Sequence, residues 1–200
     1  MILSAHSDVS SGGKLVDLIV DSKRAEILKQ IATNLPDITL NDHQMCDLEL
    51  LAIGVFSPLE GFVVRSDYES ILDRMSLQDN TIWPIPIYLD VSEPLARNLE
   101  AGQSVALRDP EGFLLAVLHI EDIWQANKEI EAEKVYGTLD SAHPGVNYLM
   151  KTAGDYYIGG NVEVISPPLH FDFKQLRLTP KEIRNLYKKL GWQRVVGFQT

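Results

Sequence analysis

LTPKEIRNLYKKLGWQRVVGFQT (178–200) is the stretch whose reading decides the fold. Its first half predicts a helix marked at both ends. Thr179 stands as N-cap, Pro180 takes the first helical position, and Glu182 closes a capping box. Leu186, Tyr187 and Leu190 recur at helical spacing, and Gly191 supplies the left-handed stop. Arg194-Val195-Val196-Gly197-Phe198 then has the apolar density of a buried strand. Helix, glycine, buried strand and a polar pair, Gln199 and Thr200, is how an α/β unit presents a site at a strand's carboxyl end. A side-chain amide offers two N–H donors to a tetrahedral oxyanion, and a hydroxyl donates to a phosphate oxygen. Gln199 and Thr200 are therefore the candidate anion-binding pair. A polar strand end without a role is the competing reading of the same two residues.

Upstream, the pattern is different. Ser22 to Leu35 predicts an amphipathic helix with Ile27, Leu28, Ile31 and Leu35 on one face. Asn41 with Gln44 starts a second helix that runs to Gly54, and Ser66 with Glu69 starts a third. From Thr81 the period falls to two, with Ile85, Ile87, Leu89 and Val91 on one face of a strand whose prolines suit an edge. Ser104 to Ile123 predicts a hairpin about Asp109-Pro110-Glu111-Gly112. Asn127 to Tyr136 predicts a charged helix closed by Gly137, and Tyr156 to Ile165 a second hairpin about Gly159-Gly160-Asn161. Short strands between helices, with no βαβ rhythm, make this part α+β, a small and largely antiparallel barrel with flanking helices. Pro167-Pro168 is a stiff connector and the best boundary. The expected division is 1–168 and 169–200, the second being the opening helix-strand unit of a Rossmann-like α/β domain.

Composition narrows the function. With 28 acidic against 18 basic residues the net charge is −10, which disfavours a surface that tracks nucleic acid or adsorbs to a membrane. Cys46 is the single cysteine, so an intrachain disulfide is impossible and a reducing, cytoplasmic compartment is expected. Its place in an apolar-periodic helix predicts a core thiol. No leader-like apolar region opens the chain, and no stretch reaches membrane-spanning length.

The remaining chemistry-bearing residues have bland readings. His6, His43, His119, His143 and His170 show no ligand spacing, so no metal site is expected. His143 stands out only by lying in a loop, where a bracing role is the expectation. Gly12-Gly13-Lys14 lacks the spacer and hydroxyl of a phosphate loop, and Ser57 lacks the glycines of a nucleophile elbow. The acidic run Glu129 to Glu133 reads as a solvated helix face, and Trp83, Trp124 and Trp192 are too scattered for a base-stacking platform.

GWQRVVGFQT (191–200) is similar to the opening of the catalytic domain in the ATP sulfurylase (sulfate adenylyltransferase) family. The resemblance extends back through LRLTPKEIRNLYKKLGW (176–192), VYGTLDSAHPGVNYL (135–149), Leu115 to Ile123, WPIPIYLDV (83–91) and DLELLAIGVFSPLEGFV (47–63). In that family FQT runs on into an Arg-Asn-Pro-x-His-Arg-Ala-His signature that is not in these residues. The resemblance implies a PUA-like N-terminal domain followed by the start of a nucleotidyltransferase domain. It implies the reaction of ATP with sulfate to adenosine 5′-phosphosulfate and pyrophosphate, with Mg²⁺ on the nucleotide and with oligomers. The residues matching Gln199 and Thr200 there bind sulfate and line the nucleotide- and sulfate-binding turn. The 200-residue chain by itself is expected to be inactive, since the family's arginine and paired histidines are absent from it. A non-catalytic PUA-like binding module, or a structural and oligomerisation module, is the alternative.

Overall fold

The computed structural model describes residues 15–197. Helix α1 (Ser22–Ala32) is capped by the Asp21 carboxylate, which accepts from the Arg24 N–H at 2.8 Å. It turns Ala25, Leu28 and Ala32 inward and leaves Ile27 and Ile31 exposed. The small alanines flanking Leu28 form the buried face, rather than the isoleucines expected there. Strand β1 (Asp37–Thr39) leads to α2 (Asp42–Ala52), whose capping box is the one expected. The Gln44 N–H donates to Asn41 Oδ1 at 2.9 Å, and the Asn41 N–H donates to Gln44 Oε1 at 3.0 Å. After the short β2 (Gly61–Phe62), α3 (Arg65–Arg74) starts one residue ahead of the expected Ser66, with Val64 as an N-cap that makes no side-chain bond.

Residues 83–88 run without a strand ladder, and only β3 (Leu89–Val91) pairs. Pro84 and Pro86 have no N–H to donate, which confines the ladder to the residues beyond them. Then follow α4 (Glu93–Ala96), β4 (Ser104–Arg108) and β5 (Leu114–Gln125), the last two joined by the expected turn. Helix α5 (Lys128–Glu131) passes directly into a π-helical stretch (Ala132–Tyr136) that stops at left-handed Gly137. Helix α6 (Pro144–Lys151) precedes β6 (Tyr156–Val164).

The predicted second hairpin is not there. Tyr156 to Val164 is one strand, and it organises the whole sheet. One edge pairs antiparallel with β5 from Ala116↔Val164 to Gln125↔Tyr156. The other edge is shared by β2, through Phe62↔Gly160, and by β3, through Leu89↔Ile158. A Cβ at Gly159 would lie 2.2 Å from the Val63 carbonyl oxygen, and one at Gly160, where φ is +153°, 2.0 Å from that of His119. The glycines are there for close backbone approach on both edges and not for a turn. With β4 beyond β5 and β1 parallel to β4, the result is a six-stranded, largely antiparallel sheet. Among the described residues no pairing joins β1 to β2 or β3. The core lies between this sheet and the helices, with Leu28, Leu48, Leu89, Leu107, Leu118, Tyr157 and Ile158 essentially inaccessible.

Helix α7 (Pro180–Leu190) has the predicted Thr179–Glu182 capping box and its stop at left-handed Gly191. None of residues 169–197 is buried, and Val196 is 89% exposed. The predicted strand is not formed over Arg194–Gly197, because no described strand lies beside it to complete a ladder; Phe198 lies outside the described residues. The segment is tied to the rest by a hydrogen bond between His170 Nε2 and Glu49 at 2.7 Å and by an ion pair of Lys181 with Asp17 at 3.6 Å.

Candidate functional site

Gln199 and Thr200 lie outside the described residues, as do His6 and Gly12-Gly13-Lys14. The structure brings the frame up to Gly197, with Trp192 stacked against Tyr187 at 5.9 Å. Ser57 braces its loop: its hydroxyl accepts from the Val16 N–H at 2.9 Å and donates to the Gly54 carbonyl at 2.7 Å. His143 is the exposed N-cap of α6, its ring 5.0 Å from that of Tyr136, so it braces by ring packing. Cys46 is exposed, contrary to the expected core thiol. Gln44, Leu48, Leu51 and Ala52 take the inward face of α2, and two residues' rotation from Gln44 carries Cys46 to the other side.

Three clusters were not anticipated. The first overturns the reading of the acidic run. Glu129 and Glu133 are exposed, but Glu131 is only 3% exposed. Its Oε2 accepts from the hydroxyls of Tyr68 at 2.9 Å and Tyr157 at 2.8 Å, and its Oε1 from that of Tyr88 at 2.5 Å. Burial pushes the Glu131 carboxyl above its ordinary 4.5, opposed by the three hydroxyls and by Lys128. Burial and the adjoining carboxylate push all three phenols up as well. Tyr88 stacks on Tyr157 at 3.6 Å, and Trp124 meets Tyr157 edge-on at 5.9 Å. No local period marks Glu131 as the one that turns inward. The only signal in the sequence is a glutamate flanked by Ile130 and Ala132.

The second cluster clamps α1 to the sheet. Glu163 on β6 receives Arg24 through Nε at 2.7 Å and Nη2 at 2.6 Å, and His119 Nε2 at 2.8 Å. His119 Nδ1 in turn meets the Ser104 hydroxyl at 2.8 Å. Hydrogen bonding to Arg24 is the main cause that brings the Glu163 carboxyl down to about 2. Ser, His and Glu in series have the outline of a nucleophile relay, yet the acid is committed bidentately to Arg24, which suits a clamp.

The third feature is a cavity of about 520 Å³ between α2, the 82–88 segment, the π-helical stretch and α6. Half-buried rings of Phe56, Trp83, Tyr88, Tyr136 and Tyr148 line it, with Asp47, Asp90 and Glu131. Asp90 is held by Gln44 Nε2 at 2.9 Å and by the Gly154 N–H at 2.6 Å. At the rim, His43 stacks on Tyr148 at 4.6 Å, and its hydrogen bond to Asp47 raises its pKa from 6.5. No lysine or arginine lines this cavity, so its walls do not fit a triphosphate. Among the described residues no group of three or more His, Cys, Asp or Glu is placed to hold a metal ion. No described helix is long and apolar enough to cross a membrane.

Comparison with known proteins places these observations. A family model described as "PUA-like domain" matches residues 9–167. Proteins named sulfate adenylyltransferase are similar along most of the chain. The one from Mycosarcoma maydis is 43% identical over 193 residues, 94% of this chain and 34% of that protein. The one from Schizosaccharomyces pombe is 43% identical over 90% of this chain and 37% of that protein. A solved structure titled "Hexameric APS kinase from Thiobacillus denitrificans" is similar with a TM-score of 0.71 and 34% identity, over 90% of this chain and 31% of that one. The chain thus spans little more than a third of the length of these curated relatives. By the match over residues 9–167, it belongs to the PUA-like domain family.

Proposed function

We propose that this chain is the N-terminal part of a sulfate adenylyltransferase, with residues 1–168 as its PUA-like domain and 169–200 as the opening of its catalytic domain. The observation that carries the reading is 43% identity over 90–94% of the chain to proteins of that name. The division is supported by the end of the family match at residue 167 and by the absence of any buried residue from 169 to 197. In the complete enzyme a sulfate oxygen attacks the α-phosphorus of ATP, the P–O bond to pyrophosphate breaks, and adenosine 5′-phosphosulfate forms. Such a reaction is carried mainly by positioning and charge stabilisation. Gln199 would hold sulfate through its amide donors and Thr200 would donate to a nucleotide oxygen, with Mg²⁺ arriving on ATP. A cytoplasmic location, small-molecule substrates rather than nucleic acid, and a homo-oligomeric complete protein belong to the same proposal; the hexameric title of the solved neighbour supports the last.

The test is a chimera in which this chain replaces the matching third of the Schizosaccharomyces pombe relative. Sulfate- and molybdate-dependent pyrophosphate release is measured for the chimera, for its Gln199→Ala variant, and for the 200-residue chain alone. The chimera turns over, and the chain alone does not, because electrostatic stabilisation is usually the largest catalytic contribution and its cationic groups are elsewhere. Loss of one neutral donor in a dry site costs about 1–3 kcal/mol, so Gln199→Ala lowers kcat/KM for sulfate and spares ATP binding. An unchanged kcat/KM for sulfate overturns the assignment of Gln199, and an inactive but folded chimera overturns the proposal.

A further inference from the structure

We propose that the aromatic cavity between α2, residues 82–88, the π-helical stretch and α6 binds a small organic cation, an alkylated or protonated amine carrying an apolar body. At about 520 Å³ it is within the size range of small-molecule sites. Five aromatic side chains, Phe56, Trp83, Tyr88, Tyr136 and Tyr148, line it. Trp83 and Phe56 meet edge-on at 6.0 Å, Tyr88 is pinned by its stack on Tyr157, and Tyr148 carries the His43 ring. A wall rich in aromatic side chains is the usual means of holding an alkylammonium group.

The charges around the cavity point the same way. Asp47 comes from α2, Asp90 from β3 and Glu131 from the end of α5, and no lysine or arginine joins them. Among the described residues Glu131 accepts hydrogen bonds from three neutral hydroxyls. Lys128 is near enough to lower the Glu131 pKa, but its ammonium is bonded to the Ala153 carbonyl at 2.6 Å and Asp155 at 2.7 Å. Three carboxylates in a low-dielectric wall repel an anion and favour a cation entering from water. At the mouth, Ile82 is 82% and Ile85 52% exposed, apolar surface against which the ligand's body would rest. His43 at the rim is the one lining group that gains positive charge on acidification. Protonation of His43, which faces Asp47, Asp90 and Tyr148, acts against a cation, so affinity falls from neutral to mildly acidic pH.

The experiment titrates the 200-residue chain with benzyltrimethylammonium, benzyl alcohol and benzoate, read by calorimetry and by quenching of tryptophan fluorescence. Benzyltrimethylammonium binds about tenfold or more tighter than benzyl alcohol, and benzoate does not bind. Asp47→Asn, which removes a partly exposed charge paired with His43, weakens the cation about threefold and leaves benzyl alcohol unchanged. Trp83→Leu removes a wall ring, weakens the cation about tenfold and abolishes most of the quenching. Circular dichroism shows that each variant folds. Equal binding of benzyl alcohol or benzoate overturns the proposal. So does the absence of saturable cation binding up to about 10 mM, or affinity indifferent to both substitutions in folded protein.

Discussion

Glu131→Leu separates a buried acid that organises the core from one that is merely tolerated. The substitution keeps side-chain volume roughly constant and removes the acceptor for three hydroxyls. Tyr68 and Tyr157 are buried, so their O–H groups are left dry at about 1–3 kcal/mol each. Tyr88 borders the cavity, and its hydroxyl turns to water at small cost. Removing a desolvated carboxylate returns part of this, since burial already disfavours the charge there. The net expectation is a loss of about 2–5 kcal/mol, a large share of a domain's stability. Glu131→Gln retains one acceptor oxygen and loses about 0.5–2 kcal/mol.

The pH dependence has a definite sign. A carboxyl whose pKa in the folded protein is raised above its ordinary 4.5 binds more protons folded than unfolded over the interval between the two values. Stability from Glu131 is therefore full below 4.5 and falls as pH rises through its folded value. The glutamine variant lacks that slope, so its deficit relative to the parent is larger in acid than at neutrality. Urea denaturation followed by circular dichroism, in acid and near neutrality, measures both quantities. A leucine variant within about 1 kcal/mol of the parent, or a glutamine deficit that grows with pH, refutes the reasoning.

Glu163 has the opposite sign: its carboxyl, held at about 2 by Arg24, supports stability above the ordinary 4.5 and loses that support as pH falls towards 2. With Arg24 42% exposed, solvent screens the clamp, and Glu163→Gln should flatten the acid limb of a stability-versus-pH curve only modestly. Gly160→Ala places a Cβ 2.0 Å from the His119 carbonyl, and thermal melting should show a loss of about 3 kcal/mol or failure to fold. Asn41→Ala removes the cap that closes the box with Gln44 and should lower the urea midpoint by the equivalent of about 1 kcal/mol. Amides 194–197, unpaired and exposed, should exchange at least about tenfold faster than those of 116–120 in β5, read by hydrogen exchange on dilute monomer. Equal protection would overturn the division at Pro167-Pro168.

Local chemistry was legible and long-range chemistry was not. The boxes Asn41–Gln44 and Thr179–Glu182, the stops at Gly137 and Gly191, and the turn at 109–112 each depend on residues within one turn of one another. Gly159-Gly160 misled because a hairpin turn and a close approach of strands demand the same residue. Only the carbonyls of Val63 and His119, distant in sequence, decide between them. Glu131 was misread for the same reason: its partners stand 63, 43 and 26 residues away. On α1, hydrophobicity pointed to Ile27 and Ile31, whereas packing selected Ala25 and Ala32.

The tail is where sequence pattern and burial part company. Helix α7 has the sharpest local signals in the chain, yet no side chain of 169–197 is buried, and Leu176, Leu190, Trp192 and Val196 stand exposed. Local capping specifies where a helix starts and stops but not what it packs against. Leu186 and Leu190 lie one turn apart on α7, and exposed Trp192 and Val196 follow beyond its stop. On the core side, the sheet is already served by α1, α2 and α3, and the family match closes at residue 167. An amphipathic helix whose apolar face the first core does not use is what a second domain's opening helix requires. That is why the division at Pro167-Pro168 and the placing of Gln199 and Thr200 at a catalytic turn are a single proposal. If the chimera showed sulfate turnover insensitive to Gln199→Ala, the turn would lose its role, and α7 would be better read as an appendage of the PUA-like domain.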